Sequence, residues 1–223
     1  MFCYIEVSDN STNVNDVQDS SITYSNRGNR TGFVNICLKY GNNSILRDNI
    51  TRNYCKTCAA FLIEYGLISI NNSIFDENYA DLVICGTSYS PAVYNSIVFI
   101  NNTVSSISTY GLIDCLFSTV YIENSYIANN SLLDNQYYFS GYEGNCKFTI
   151  SNSYIDPIDL SRVHGVEVTY IQMRNVSIEL NLLSTGLCPI GNYFVYIDKV
   201  NTFTHLLHAQ RFGKYIATLV SKR

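Results

Sequence analysis

A seven-residue frame, Asn-Ser-apolar-apolar-x-x-Asn, recurs along this chain of 223 residues. Some copies are complete and others keep only part of the frame; they begin at Ser20, Asn43, Asn72, Asn95, Asn124, Asn152 and Asn175. Successive copies start 23 to 29 residues apart. A repeat of this length is typical of solenoids, in which each repeat forms one coil that stacks on the previous one. The sequence is therefore more informative about architecture than about activity.

Strand patterning surrounds each frame. Apolar and polar residues alternate at 68–70, 120–122 and 148–150, directly before the frame, and many of the apolar residues are β-branched or aromatic. A third apolar segment follows most frames, as at 81–85 and 111–116. Helical solenoids are disfavoured, because no segment sustains apolar residues at positions i, i+3, i+4 and i+7.

The first Asn of each frame lies between two short apolar strands. Asn tolerates the left-handed backbone conformation better than other non-glycine residues, and that conformation turns a strand sharply. If every coil turns at the same Asn, the amides stack and hydrogen-bond along a column. We interpret six of them as such a ladder: Asn43, Asn72, Asn95, Asn124, Asn152 and Asn175. The alternative, that each Asn marks a surface turn, explains any one of them but not the common frame.

Three short strands in each repeat are the layout of a single-stranded right-handed parallel β-helix. We expect an all-β solenoid of about seven coils over residues 1–190, and a C-terminal strand with a capping helix or tail over residues 191–223. Two apolar columns follow the Asn-Ser pair and point to opposite faces. The column with Phe75 and Ile127 is expected to fill the core. The column with Ile74 and Tyr126 would then be partly exposed, covered by a loop, or rotated inward.

A Phe-x-x-Asn motif stands at residues 75–78 and 99–102. The chain resembles right-handed β-helix proteins of pectin-lyase-like shape. More narrowly, it is similar to surface proteins of protist parasites whose repeats are like those of bacterial polymorphic outer membrane proteins, which carry this motif. Their companion Gly-Gly-Ala-Ile motif is absent. The resemblance covers residues 15–185 and implies a non-enzymatic adhesion or stalk role, with a host or cell-surface protein or a glycan as partner.

Charge and targeting signals limit the classes of function. The net charge is −4, which argues against nucleic acid because phosphate neutralisation requires a basic face. The N-terminus lacks the pattern of a signal peptide, and no apolar run is long enough to span a membrane. We nevertheless expect an extracellular or cell-surface protein whose signal and anchor lie elsewhere in a longer chain. The N-glycosylation sequons at Asn10, Asn29, Asn42, Asn49, Asn71, Asn101, Asn129 and Asn175 favour this location.

The eight cysteines suggest structural roles. Cys55 and Cys58 form a Cys-x-x-Cys motif without a second pair or a His at ligand spacing, so no zinc site is predicted. Thioredoxin-like redox chemistry would need a βαβ context, which is missing. Cysteines that recur at fixed offsets from the frame fit small apolar residues of a core. Disulfides stay open at this stage, because their pairing cannot be read from a sequence.

The alternative to an adhesion role is a carbohydrate-active lyase or glycosidase, or a sugar-binding module. Glycoside hydrolysis needs two carboxyl groups roughly 5 to 10 Å apart. Asp76 and Glu77 are the only adjacent acidic pair, and we expect both to be solvated because Arg47 and Asp48 take their place one coil earlier. The sequence therefore predicts no catalytic residue, no cofactor and no metal site. A fragment without independent function is the third interpretation.

Overall fold

The computed structural model describes residues 13–23, 34–105, 110–132, 137–141, 145–156 and 162–171, and the backbone of residues 3–6, 178–181 and 192–195. The strands of these residues form four parallel sheets and one antiparallel pair. We name the parallel sheets A, B, C and D in the order in which the chain visits them. A complete coil runs through the sheets in this order and then returns to sheet A.

The strands are numbered in chain order and grouped here by sheet. Sheet A contains β1 (Cys3–Glu6), β4 (Val34–Lys39), β8 (Cys58–Glu64), β12 (Val83–Ser88), β16 (Gly111–Leu116), β20 (Tyr137–Gly141) and β23 (Val163–His164). Sheet B contains β2 (Val14–Gln18), β5 (Asn42–Leu46), β9 (Leu67–Asn71), β13 (Ala92–Asn95), β17 (Thr119–Glu123), β21 (Cys146–Ser151) and β24 (Val166–Ile171). Sheet C contains β3 (Ser21–Thr23), β6 (Asn49–Thr51), β10 (Ile74–Asp76), β14 (Val98–Ile100), β18 (Tyr126–Ala128) and β22 (Tyr154–Ile155). Sheet D contains β7 (Tyr54–Cys55), β11 (Tyr79–Ala80), β15 (Thr103–Val104) and β19 (Ser131–Leu132).

Each strand of these sheets pairs in parallel with its counterparts in the adjacent coils. Phe75, for example, lies opposite Ile50 on one side and Phe99 on the other. The predicted parallel β-solenoid is therefore confirmed. It makes about five turns rather than about seven. Among the described residues, four successive coils contribute a strand to every sheet, including sheet D, whose two-residue strands the three-strand prediction did not contain.

The chain turns between sheets A, B, C and D at residues with a left-handed backbone. These corner residues have φ between 47° and 64°: Tyr40, Tyr65, Tyr89 and Phe117 between sheets A and B; Asp19, Arg47, Asn72, Ser96, Asn124 and Asn152 between B and C; Arg52, Glu77, Asn101 and Asn129 between C and D. This conformation costs a non-glycine residue roughly 1 to 2 kcal/mol. The backbone N–H of the corner residue donates to a carbonyl of the next coil, as from Arg47 to Asn71 at 3.0 Å. The left-handed conformation therefore goes together with the hydrogen bonds between coils and does not require Asn.

The three middle strands of sheet C, β10, β14 and β18, are buried on both faces. Phe75 and Phe99 point into the main core. Ile74, Val98 and Tyr126 form the opposite column and are 5%, 0% and 2% exposed. Of the three alternatives for this column, partial exposure is therefore wrong for these residues, and the alternatives in which the column is enclosed agree with the structure.

The register of sheet C also corrects the alignment of the frames. Ile74 pairs with Val98 and not with Ile97, its counterpart in the sequence frame. The reason is that Ser96, and not Asn95, takes the left-handed corner in this coil. The frame that begins at Asn95 is therefore shifted by one residue relative to its neighbours.

The C-terminal part contains one antiparallel pair, β25 (Ile178–Asn181) with β26 (Asn192–Val195). The domain boundary at residue 190 stays a prediction. The capping helix or tail falls on residues 196–223, which lie outside the described residues.

We predict that Phe75→Ala lowers the free energy of unfolding by roughly 3 to 5 kcal/mol, because a buried ring leaves a cavity. The ring centroid of Phe75 lies 5.6 Å from those of Phe61 and Phe99. Urea denaturation followed by circular dichroism measures the change. Val93→Ala, on the outer face of sheet B, is the control and should stay within about 0.5 kcal/mol. Equal losses in both variants would contradict this assignment of the core.

Candidate interaction surface

The structure brings part of the predicted Asn ladder together at the corner between sheets B and C. Asn124 Nδ2 donates to Asn95 Oδ1 at 2.8 Å, and Asn152 Nδ2 donates to Asn124 Oδ1. Asn72 takes the left-handed position of the same corner, as Asn124 and Asn152 do. These amides are half-buried, so the chain of hydrogen bonds runs along an outer edge of the solenoid.

Asn43 does not belong to this edge. It lies inside β5, opposite Ile68, four residues before the corner at Arg47. Its Oδ1 accepts a hydrogen bond from Asn15 Nδ2 at 2.9 Å. The Asn-Ser pair thus occupies different structural positions in different coils. Asn175 lies outside the described residues.

A second set of Asn residues forms a buried column just before sheet D. We call it the buried Asn column: Asn53, Asn78, Asn102 and Asn130. The Nδ2 and the backbone N–H of Asn53, Asn78 and Asn102 both donate to the Oδ1 of the column Asn in the next coil, at 3.0 to 3.1 Å. Each Nδ2 also donates to a carbonyl of sheet C in the preceding coil, at 2.8 to 3.0 Å. Self-complementary amides can therefore be buried without unpaired polar atoms.

Sequence reasoning missed the buried Asn column, although a signal was present. Asn78 and Asn102 are the last residues of the two Phe-x-x-Asn motifs. The Phe of each motif, Phe75 or Phe99, fills the core, and its carbonyl oxygen accepts the amide of an Asn one coil later, as Asn102 and Asn130 show. The motif therefore combines core packing with stacking of coils.

We predict that Asn102→Ala lowers the free energy of unfolding by roughly 2 to 5 kcal/mol, because it leaves buried partners unsatisfied. Denaturation in urea gives the value. Asn71→Ala is the matched control: Asn71 is half-buried, its amide donates to Ser69 Oγ at 2.6 Å, and its loss should cost about 1 kcal/mol or less. Similar costs at both positions would refute a special role for the buried column.

A buried column of Ser residues follows the corner between sheets B and C. The hydroxyls of Ser73, Ser125 and Ser153 accept backbone N–H groups of the preceding coil, at 3.0 to 3.2 Å. Asp48 occupies the equivalent position of this column one coil before Ser73. Its Oδ1 accepts the Ser20 N–H at 2.7 Å, whereas Oδ2 is buried without a hydrogen-bond partner. Burial therefore raises the pKa of Asp48 from 3.8 to about 7.

This raised pKa predicts a stability that falls as the pH rises from about 4 to 7. The unfolded chain releases the Asp48 proton near pH 4, whereas the folded chain holds it until about pH 7, so the contribution of Asp48 to stability is greatest below pH 4. The loss across this window should be on the order of 3 to 4 kcal/mol.

Asp48→Ser places a Ser at this position, as in the rest of the column. It should remove most of the decrease in the free energy of unfolding between pH 4 and pH 8, as measured by denaturant titrations. A smaller decrease in the free energy of unfolding should remain, because burial raises the pKa of Asp114 to about 6. An unchanged decrease in Asp48→Ser would show that other groups cause it.

A column of aromatic rings, half-buried at its first two residues and exposed at its last two, marks the corner between sheets A and B. We call Tyr40, Tyr65, Tyr89 and Phe117 the aromatic column. Successive ring centroids lie 4.9, 4.7 and 5.6 Å apart, and the planes differ by 6° to 17°. Because the rings stack on one another, they present edges and the tyrosine hydroxyls outward. Tyr89 and Phe117 are 46% and 40% exposed.

The outer face of sheet B adjoins the aromatic column. Val93 and Tyr121 lie opposite each other at its centre, 39% and 40% exposed. Ser44 and Ser69 precede them in the same row, and Thr149 and Thr169 follow. We call this face, together with the aromatic column, the sheet B surface. Its central row is uncharged from Ser44 to Thr169, whereas Asp16 begins the row and the ion pair of Lys147 and Glu167 lies beside it.

The acidic residues do not behave as the sequence suggested. Asp76 is 3% exposed and accepts a hydrogen bond from Asn101 Nδ2 at 2.9 Å, so the prediction of a solvated Asp76 is wrong. The strand β10 carries Asp76 on the enclosed outer face of sheet C. Glu77 is half-buried and its Oε2 lies 2.5 Å from Arg52 Nε.

Asp114 is a further acidic group that the sequence did not single out. It lies in sheet A and accepts a hydrogen bond from Ser140 Oγ at 2.5 Å. Its partner is thus a structural hydroxyl of the next coil. Within the described part of the chain, no three His, Cys, Asp or Glu side chains are grouped so that they could hold a metal ion.

The six cysteines whose side chains are described are all buried thiols: Cys37, Cys55, Cys58, Cys85, Cys115 and Cys146. Cys58 Sγ donates to the Phe61 carbonyl at 2.5 Å and to the Ile84 carbonyl at 3.2 Å. Burial raises the pKa of Cys58 and of Cys85 well above the usual value. Because the thiolate is the reactive form, these thiols are poor nucleophiles.

Five of the eight predicted sequons fall within the described residues, at Asn42, Asn49, Asn71, Asn101 and Asn129. None of these side chains is buried, and Asn129 is exposed at the corner between sheets C and D. Asn10, Asn29 and Asn175 lie outside the described residues.

Comparison with known proteins identifies no relative. No family model matches the chain, and neither a curated protein nor a solved structure matches it. Among the residues described, no helix has the length and apolar character needed to cross a membrane. The functional argument therefore rests on the surface itself.

Proposed function

We propose that this chain is a non-enzymatic β-solenoid interaction module of a cell surface or secreted protein. The observation that carries the proposal is the sheet B surface, in which Tyr89 and Phe117 of the aromatic column are exposed. Large aromatic side chains supply contact area at a low entropic cost, and Ser and Thr supply adaptable hydrogen bonds, which is the residue usage of binding sites for proteins. The four sheets below hold this surface rigid before a partner binds.

A protein partner is favoured over a polysaccharide by the orientation of the rings. The faces of Tyr65 and Tyr89 pack against their neighbours in the column, at centroid distances of 4.7 to 4.9 Å. A sugar ring that stacks on an aromatic face would find these faces occupied. Edges and hydroxyls remain, and these suit the side chains and backbone of a protein.

A carbohydrate-active enzyme is the weaker candidate. Three of the acidic groups described above are engaged in structural contacts: Asp76 with Asn101, Asp114 with Ser140, and Glu77 with Arg52. None of these contacts joins two carboxyl groups. An assay for reducing ends released from polysaccharides would detect such an activity.

We predict that the labelled full chain binds cultured cells and that the double variant Tyr89→Ser/Phe117→Ser binds at least about tenfold more weakly, because it removes two exposed anchors. Flow cytometry at increasing concentrations gives the apparent Kd. Tyr110→Ser is the matched control, since Tyr110 is 44% exposed and lies outside the aromatic column. Its affinity should be unchanged.

Treatment of the cells with trypsin or with glycan-removing enzymes before the binding assay distinguishes a protein partner from a glycan partner. Binding lost after trypsin treatment and retained after enzymatic removal of glycans supports a protein partner. Loss after glycan removal would instead identify a glycan partner. No binding by the wild-type chain, or equal losses in the double variant and in the Tyr110 variant, would refute the proposed surface.

A further inference from the structure

Two of the buried cysteines meet where sheets A and B join. Cys115 lies in β16 of sheet A, and Cys146 lies in β21 of sheet B, 31 residues later in the chain. Cα atoms of β16 and β21 approach within 8 Å of each other. Both side chains are completely buried. The two residues therefore belong to successive coils but share one pocket of the core.

The hydrogen bonds of the two thiols show how close they are. Cys146 Sγ donates to the Cys115 carbonyl oxygen at 2.8 Å, and Cys115 Sγ donates to the Ser118 carbonyl oxygen at 3.2 Å. The neighbouring Cys146 side chain, together with burial, raises the pKa of Cys115. A Cβ atom at Gly141, which lies opposite Cys115 in sheet A, would come within 2.8 Å of Cys146 Sγ. Cys146 Sγ thus reaches the backbone of the strand beside Cys115.

The Cys-x-x-Cys motif does not offer a comparable pair. Cys55 packs in the main core, whereas Cys58 packs in a separate cluster with Val34, Cys37 and Val83. The thiol of Cys58 donates to the carbonyls of strands β8 and β12. Proximity in sequence is therefore no guide to pairing in this fold.

We propose that Cys115 and Cys146 form a disulfide when the chain folds in an oxidising compartment. The cross-link would join one coil to the next through the core and close a loop of 31 residues. A loop of this size removes substantial freedom from the unfolded chain and so stabilises the fold. The inference does not depend on the proposed binding function.

The chemistry is a thiol–disulfide exchange with a small disulfide compound such as oxidised glutathione. The thiolate of one cysteine attacks a sulfur of this compound and releases one glutathione thiolate, which leaves a mixed disulfide. The second cysteine thiolate attacks the protein sulfur of the mixed disulfide and releases the other glutathione. In total the protein loses two protons and two electrons, and the glutathione disulfide is reduced to two thiols. Because both thiols are buried after folding, the exchange must take place before the coil containing β21 closes over Cys115.

The test is to refold the denatured full chain in a mixture of reduced and oxidised glutathione, and separately in a reducing buffer. After alkylation and proteolysis without reductant, mass spectrometry should find the peptides of Cys115 and Cys146 joined in the first sample only. The melting temperature of this sample should exceed that of the reduced sample by roughly 10 °C.

Variants assign the stabilisation to this pair. Cys115→Ala and Cys146→Ala should lose the dependence of the melting temperature on the redox buffer, while Cys85→Ala, a buried thiol elsewhere in sheet A, should keep it. Alkylation of both Cys115 and Cys146 after oxidative refolding would overturn the proposal, and so would a cross-link between Cys55 and Cys58 in place of the proposed one. Peptide mapping of the wild-type chain decides the matter even if a variant does not fold.

Discussion

The structure depends on the fact that each side chain packs against its own counterpart in the next coil. Parallel strands in register place equivalent positions about 4.8 Å apart, so a column favours residues that tolerate their own kind or pair with a complementary neighbour. Asn meets this condition because its amide both donates and accepts, and the buried Asn column uses this property. Aromatic rings meet this condition because they stack on one another. Aliphatic side chains meet it because they pack in direct contact. A composition rich in Asn, Ser, Tyr and Ile is the consequence.

Charged residues repel identical neighbours, and in this chain opposite charges therefore alternate from one coil to the next. Lys39 lies beside Glu64, with Nζ and Oε2 2.9 Å apart, and Arg47 lies beside Asp19 at 2.6 Å. Each is a pair of opposite charges in successive coils. Alternation cannot be extended along every column, and this explains why only 14% of the residues are charged. Asp48 breaks the rule because it stands in a column of Ser, and the raised pKa is the result.

The architecture was predictable from the sequence, whereas the register was not. Alternating apolar residues and a repeat of 23 to 29 residues are sufficient to indicate stacked β-coils. The Asn-Ser frame, however, lies inside a strand at Asn43 and at a corner at Asn72, and nothing local distinguishes the two. Sheet D strands of two residues are too short to show a period.

The candidate surface was hidden for the same reason. Tyr40, Tyr65 and Tyr89 lie 25 and 24 residues apart and become neighbours only when the register is known. The proximity of Cys115 and Cys146 likewise follows from the way in which one coil closes on the next. Burial of Asn102 and Asp76 was missed because polar residues are usually placed outside.

The direction of the hydrogen bonds also determines how the solenoid responds to force. The bonds between coils run along the axis of the stack, and the strands run across it. A pull along this axis acts on every interface between coils, but an end coil is held by one neighbour only and therefore detaches first. Coils would then detach one after another, and each would release 24 to 28 residues, or roughly 80 to 100 Å of extended chain. A β-solenoid of this kind yields in steps under tension and can dissipate mechanical work without complete unfolding.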